Sequence, residues 1–303
     1  MALLRYRRIG RRDVFMHYEG DIYRPPSEAY SLIVQATVGC SHNGCTFCNM
    51  YKKKRFHVQP SEQVISDLAE ARVMYQYVDR IFLADGDALV YETRELLKIL
   101  DEIGRLFPEC TRVASYATPR SLLLKTQEEL DTLRAHGLKM LYLGLESGSA
   151  QILKRVNKGV TPEQIVLAGQ KAKKAGFSLS VTILSGLGGE ELMEEHAVST
   201  GQALSEMKPD YIGEMTLNII PGTRLYEQKQ AGEFVLPPPE RILEETKLLI
   251  QNIDDEGAVF RSNHVSNYVN IRGTFNAGRE SMIRQIDDAL KRGRFKERHY
   301  TNM

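Results

Sequence analysis

Three cysteines stand close together as C-x4-C-x2-C in the stretch Cys40-Ser41-His42-Asn43-Gly44-Cys45-Thr46-Phe47-Cys48. Thiolates are soft ligands for zinc and for iron–sulfur clusters. Three of them on one tight loop leave one position without a protein ligand, unless another side chain supplies it. An open position on a metal centre is where chemistry can happen, so the fourth ligand decides the reading. The spacing with a distant fourth cysteine is also that of plant-type ferredoxins. The remaining cysteine, Cys110, follows Pro108 and precedes a strand, whereas Cys40 follows one. Opposite ends of a short parallel strand lie roughly 17–20 Å apart, and a metal–sulfur bond is about 2.3 Å. Cys110 is therefore expected to be a buried or surface thiol. A closed Cys3His zinc site would need His42 or His57. The favoured reading is the open one, a [4Fe–4S] cluster whose unique iron binds an exogenous ligand.

The elements that must position this loop follow a regular alternation. An apolar run from Tyr30 to Val38 reads as the strand that delivers Cys40. Ser61 N-caps a helix reaching about Tyr77, and Arg80 to Ala84 is a strand ending in Asp85-Gly86-Asp87. Thr93 caps a helix through Leu106, and Arg112 to Ala117 is a strand ending at Tyr116-Ala117-Thr118. Thr126 with Glu129, and Thr161 with Gln164, are capping boxes for two further helices. Between them Lys139 to Leu145 is a strand ending in Glu146-Ser147-Gly148-Ser149. Ser178 to Leu184 is a strand, a helix runs from about Glu190 to Met207, and Asp210 to Ile220 is a strand ending at Pro221-Gly222-Thr223. Strands alternating with helices imply parallel βαβ units. The expected fold class is α/β: a partial (βα)6 TIM-like barrel with parallel strands, plus a small C-terminal α+β extension. The polar clusters fall at the C-terminal ends of strands, the edge where such folds bind ligands. Residues 1–29 read as an N-terminal leader, 30–236 as the barrel, and 237–303 as an extension over the barrel mouth. In the extension Glu240 to Ile253 reads as a helix, Ala258 to Asn270 as a polar strand and Arg279 to Arg292 as a last helix. The cationic stretch Lys52 to Arg55 reads as a solvated loop.

Composition narrows the classes. The 303 residues are 42% hydrophobic and 26% charged, an ordinary globular composition. Lys+Arg 40 against Asp+Glu 39 leaves a net charge of +1, which argues against bulk nucleic-acid binding. No apolar run approaches the roughly 20 residues of a membrane span, and no signal peptide is recognisable. A cytoplasmic protein is expected, with clustered cysteines as metal ligands rather than disulfides.

These residues resemble the radical S-adenosylmethionine (radical SAM) superfamily, whose usual signature is C-x3-C-x2-C with an aromatic residue before the last cysteine. Phe47 holds that aromatic position, and the loop carries one extra residue between Cys40 and Cys45. Asp85-Gly86-Asp87 stands where the superfamily has Gly-Gly-Glu after strand two. The stretch Gly144 to Ser149, with Arg155-Val156-Asn157-Lys158-Gly159 after it, resembles the branch of oxygen-independent coproporphyrinogen oxidase, the Elongator catalytic subunit and the methylthiotransferases. The resemblance covers about residues 30–230. It implies Cys40, Cys45 and Cys48 as cluster ligands. It implies Phe47, Asp85, Gly86, Asp87, Tyr116, Glu146, Arg155, Lys158 and Thr182 as residues around S-adenosylmethionine, with Lys158 or Arg155 meeting its carboxylate.

The chemistry implied is reductive cleavage of S-adenosylmethionine to methionine and a 5′-deoxyadenosyl radical, which abstracts hydrogen from substrate. The resemblance implies an oxygen-sensitive oxidoreductase or transferase with one cluster, fed by a one-electron donor such as flavodoxin or ferredoxin. Neither an auxiliary-cluster domain nor a cobalamin domain is expected. Arg261, His264 and Tyr268 are the catalytic, substrate-side candidates, His264 as a proton shuttle near neutral pH. A small molecule is the expected substrate. A tRNA is the alternative, and a non-catalytic iron–sulfur or zinc protein is the other class.

Overall fold

The computed structural model describes residues 16–296. The first part of the expected leader and the end of the expected C-terminal extension lie outside the described residues. The strand order in the main sheet is β1-β4-β5-β6-β7-β8-β9-β10, with ranges given below. The order has two ends, so strand pairing does not close it into a barrel. The chain divides into two compact units, Met1–Ser41 with Tyr51–Tyr142 and Lys171–Ser178, and His42–Met50 with Leu143–Gln170 and Leu179–Met303.

The first unit carries β1 (Leu32–Gln35), β2 (Thr37–Val38), β3 (His57–Val58), α1 (Ser61–Met74), β4 (Arg80–Ala84), α2 (Thr93–Leu106), β5 (Arg112–Ala117), α3 (Pro119–Leu124), α4 (Gln127–Ala135) and the start of β6 (Leu138–Glu146). β1, β4 and β5 pair in parallel. Ile81, Phe82, Leu83 and Ala84 of β4 are all buried, as a parallel strand covered on both faces requires. In α2 the residues Leu96, Ile99, Leu100 and Ile103 are buried at helical spacing and form its inner stripe. The leader contributes Glu28, fully buried, which accepts from Arg112 Nη2 at 2.7 Å and from the Tyr142 hydroxyl at 2.5 Å.

The second unit carries the end of β6, α5 (Ala150–Arg155), most of α6 (Pro162–Lys174), β7 (Ser178–Ser185), α7 (Met193–Met207), β8 (Tyr211–Thr216), α8 (Arg224–Gln230), α9 (Pro239–Gln251), β9 (Val259–Ser262), β10 (Ile271–Thr274) and α10 (Arg279–Arg292). β7, β8 and β9 are parallel, and β10 runs antiparallel to β9.

Several expectations are corrected. The run Tyr30 to Val38 is two strands: Thr37–Val38 leaves the main sheet to pair with His57–Val58. α1 stops at Met74 because Tyr75 is already extended (φ −121°). Ser61 does not cap α1, since its hydroxyl donates to Glu95 at 2.6 Å. Thr93 does not cap α2 either; it bonds Glu129 and Lys125. The helix expected from Glu190 starts at Met193. Ala258 to Asn270 is not one strand. Its first part is β9, the chain then turns, and β10 brings it back, because Asn267 fastens the turn to β8.

Candidate metal and cofactor site

None of the four cysteines forms a disulfide, and Cys40, Cys45 and Cys48 are partly exposed. Cys40 belongs to the first unit, and Cys45 and Cys48 to the second.

In the first unit, β2 is followed by Gly39 at φ +78°, a left-handed conformation that suits glycine. Asp85, at the end of β4, is wholly buried. Its Oδ2 accepts from the Gly39 N–H at 2.9 Å, from Gln35 Nε2 at 3.0 Å and from Lys54 Nζ at 2.7 Å. The Gly86 N–H donates to the Gly39 carbonyl at 3.0 Å. A side chain at Gly86 would start 3.1 Å from Cys40 Cβ and 3.0 Å from the Tyr51 ring, so any larger residue would press on that cysteine. Asp87 is also buried and accepts from Ser41 Oγ at 2.6 Å, Ser121 Oγ at 2.7 Å and Thr118 Oγ1 at 2.9 Å. Burial raises its pKa, against those hydrogen bonds. The Asp85-Gly86-Asp87 turn therefore holds both residues flanking Cys40. Lys54, expected in a solvated loop, is instead drawn inward as the cation of Asp85. Tyr116 packs edge-on against Phe82 and Tyr142, and burial raises its pKa.

In the second unit, the loop from His42 to Met50 is held by the segment after α5. The Thr46 N–H donates to the Val156 carbonyl at 2.9 Å, and the Thr46 carbonyl accepts from the Leu225 N–H at 3.1 Å. The Asn157 side chain donates to the Gly44 carbonyl at 2.9 Å, and the Asn157 carbonyl lies 2.6 Å from His42 Nε2. Gly159 (φ +76°) lies against the His42 ring, where a Cβ would come within 2.6 Å. Phe47 packs on the cluster formed by Ile152, Val156, Leu184 and Leu187. The Val156-Asn157-Lys158-Gly159 stretch thus frames the cysteine loop through its backbone and the Asn157 side chain.

The two candidate cations separate. Lys158 Nζ meets Glu146 Oε1 at 2.9 Å. Arg155 points elsewhere, to Glu191 at 3.2 Å, to the Glu233 carbonyl at 2.8 Å and over the Phe234 ring. Glu146 sits at φ +61°, and Gly144 leaves the space its carboxylate folds back into, since a Cβ there would fall 2.2 Å from Glu146 Oε1. Thr182, on β7, is partly exposed. Among the substrate-side candidates, His264 Nδ1 lies 2.8 Å from Ser266 Oγ, and burial lowers its pKa. Arg261 is exposed on β9, and Tyr268 packs edge-on against Phe295.

A group that sequence reasoning missed lies on the other face of β8. Glu214 and Glu245 are buried beside His196. Glu214 accepts from Ser185 Oγ at 2.5 Å and Thr246 Oγ1 at 2.6 Å, and Glu245 accepts from the Gly186 N–H at 2.8 Å. No helical or strand period singles them out.

The donor set suits a three-cysteine cluster. Among the described residues, no three His, Cys, Asp or Glu side chains converge on a single ion. A cluster asks for something else, since each thiolate binds its own iron. The two histidines that would close a zinc site have other partners: His42 at Asn157, and His57 at Glu19 (3.3 Å) and the Arg55 carbonyl (3.2 Å). Cys110 donates to the Arg112 carbonyl at 3.5 Å at the start of β5, and Cys40 follows the end of β1, so the two occupy opposite edges of the parallel strands.

Comparison with known proteins bears on the family. A model of the radical SAM superfamily matches residues 34–199. The heme chaperone HemW of Bacillus subtilis is 22% identical over 226 residues, covering 72% of this chain and 58% of the relative. A tRNA-2-methylthio-N(6)-dimethylallyladenosine synthase of Fusobacterium nucleatum is 27% identical over 205 residues, covering 63% of this chain and 44% of the relative. The chain spans about half the length of these curated relatives. A radical S-adenosylmethionine methyltransferase, TsrM of Kitasatospora setae, solved with cobalamin and a [4Fe–4S] cluster bound, shares the fold at TM-score 0.56 and 18% identity, covering 74% of this chain and 46% of that one. With more than half of its residues matched by the family model, the chain belongs to the radical SAM superfamily.

Proposed function

We propose that this chain is a radical SAM enzyme that binds one [4Fe–4S] cluster through Cys40, Cys45 and Cys48 and acts on a small-molecule substrate. The observation that carries this reading is the C-x4-C-x2-C triplet after β2, inside the matched segment, with none of its cysteines in a disulfide and with His42 and His57 bonded elsewhere. When bound, the cluster supplies the electron that cleaves S-adenosylmethionine to methionine and a 5′-deoxyadenosyl radical.

The chain's own residues have the remaining work. Asp85 fixes the turn before Cys40, and Phe47 anchors the loop before Cys48 in apolar packing. Gly86, Asp87, Tyr116, Glu146, Lys158 and Thr182 are assigned to the nucleotide's surroundings. Lys158 is preferred over Arg155 for its carboxylate, because Lys158 stays beside Glu146 at the end of β6 whereas Arg155 is turned to Glu191, Glu233 and Phe234. Residues 237–303 are read as the substrate-side extension of a barrel spanning 30–236, behind a leader at 1–29. His264, whose Nδ1 accepts from the Ser266 N–H at 3.2 Å, carries its proton on Nε2 and is kept as the proton-shuttle candidate on that side, with burial lowering its pKa. The oxygen-labile cluster suits a reducing cytoplasm and a one-electron donor of the flavodoxin or ferredoxin kind.

Anaerobic reconstitution with iron and sulfide, then dithionite and S-adenosylmethionine, tests the proposal. The expected outcome is 5′-deoxyadenosine in the wild type and none in Cys45→Ala. An intact cluster that releases no 5′-deoxyadenosine would overturn it in favour of a non-catalytic role. The chaperone among the relatives gives that second reading its footing. The tRNA-modifying relative makes tRNA the alternative substrate, checked by whether added tRNA, rather than metabolite extract, accelerates cleavage.

A further inference from the structure

Strand register brings together a row of residues that the cluster chemistry does not use. Antiparallel pairing sets Arg272 of β10 directly opposite Arg261 of β9. Parallel pairing sets Arg261 beside Gly213 of β8, and Gly213 beside Thr182 of β7. Residues in register share one face of a sheet. The other face carries Phe260, Ser262 and Ile271, all buried, and Gly273, where a Cβ would fall 2.6 Å from the Met282 side chain of α10. The arginine face is thus turned away from α10, and both arginines are exposed.

Among the described residues neither guanidinium has a carboxylate within ion-pair distance. Arg261 Nη1 donates only to the Phe260 carbonyl, at 2.9 Å. Arg272 is fixed by its backbone: its N–H donates to Gln285 Oε1 at 3.2 Å and its carbonyl accepts from Gln285 Nε2 at 3.0 Å. Like charges directly opposite one another destabilise a strand pair. An anion between them reverses the sign, and guanidinium forks suit carboxylate and phosphate oxygens. Space exists beside the pair. A Cβ added at Gly213 would meet nothing nearer than the Val181 carbonyl, 4.0 Å away.

We propose that Arg261 and Arg272 form a two-guanidinium subsite for an anionic group, a carboxylate or a phosphate, on a small-molecule substrate, with Gly213 providing the room. This deepens the reading of Arg261 as a substrate-side residue and rests on it. Two cations suffice for one such group, whereas a nucleic-acid backbone asks for a longer basic stripe.

The test is calorimetric titration of inorganic phosphate and of malonate into the full-length reconstituted protein, with chloride holding ionic strength constant. The wild type should give saturable binding of at least one of them. Arg261→Gln and Arg272→Gln should each weaken it at least about tenfold, and the double variant should abolish it. Arg272→Lys should keep part of it, and Lys291→Gln on α10 should change nothing. Thermal melts add a readout that lost packing would not give. Without anion, Arg272→Gln should melt no lower than wild type; with phosphate, only the wild type should gain. Absent saturable binding, or binding equal across the variants, overturns the subsite. Arginine-dependent binding of tRNA without binding of either small anion overturns the small-molecule assignment. Neither measurement needs S-adenosylmethionine or reductant, so failure here and failure to release 5′-deoxyadenosine are separate results.

Discussion

In the first unit Asp85 is buried with a cation against it, Lys54 Nζ at 2.7 Å, and with the Gly39 N–H and the Gln35 amide on the same oxygen. In the second unit Glu214 and Glu245 are buried without a cation. Their neighbour His196, 3.6 Å from Glu245, is no counterion, since burial pushes its pKa down to about 4. Burial pushes Glu245 up to about 8 and raises Glu214 as well, so near neutral pH Glu245 is mostly protonated and the imidazole beside it neutral. The same chemical class is used in two ways. Next to the cysteine loop, an ion pair aims a backbone N–H. Between β8, α7 and α9, neutral polar groups fill a helix–sheet contact. A buried acid marks the candidate site only where its hydrogen bonds reach the residues flanking the ligands.

The largest expected effect lies on the ion-paired side. Asp85→Ala strands Lys54 and the Gly39 N–H, and should cost about 3–5 kcal/mol in urea unfolding, with iron loading reduced in step. The double variant Asp85→Ala with Lys54→Met should recover only part, because the Gly39 N–H still lacks its acceptor. Complete recovery would mean that the ion pair matters and the loop contact does not.

A smaller effect is expected on the neutral side, and it depends on pH. Glu245 has a folded pKa above its ordinary 4.5, so its contribution is full below that value and is lost as pH rises through about 8. His196 has a folded pKa below its ordinary 6.5, so its contribution is present above that value and is lost as pH falls through about 4. Between the two ordinary values the slopes oppose one another. Above 6.5 only the carboxyl slope remains, and stability should fall by about 1 kcal/mol per pH unit up to pH 8. Urea midpoints across that range should show the fall in wild type and a flat line in Glu245→Gln. A fall of equal steepness in the variant would remove Glu245 as the cause.

The smallest effect tests the imidazole. Ser147→Ala removes the hydroxyl 2.8 Å from His196 Nδ1 and should cost about 1 kcal/mol. It should leave iron loading untouched, unlike Asp85→Ala. Iron loss in both would erase the distinction between the two regions.

Much of this was legible in the residues. The cysteine spacing, the helix–strand alternation and the Thr126–Glu129 capping box follow from local chemistry, and the box forms as expected. The turns after β4 and β6 are where strand-end polarity placed them. Lys54 was not legible as the partner of Asp85, because a basic run looks solvated until a strand end 31 residues away faces it. Ser147, Gly148 and Ser149 read as a polar strand end, yet Gly148 is glycine for packing: a Cβ would fall 2.1 Å from the Ser199 carbonyl of α7. The polar run after Ala258 looked like one exposed strand. Asn267 breaks it, since its amide takes the Thr216 N–H at 2.7 Å and gives to the Glu214 carbonyl at 2.8 Å, a side-chain substitute for strand pairing that no periodicity reveals.

β10 ends the sheet order, where a terminal strand normally displays unpaired amides and carbonyls. The Gln285 amide occupies both backbone groups of Arg272, so at that residue the ladder is already taken. A second polypeptide seeking to add itself as a further strand would first have to evict that glutamine, which protects a small extension against edge-to-edge aggregation.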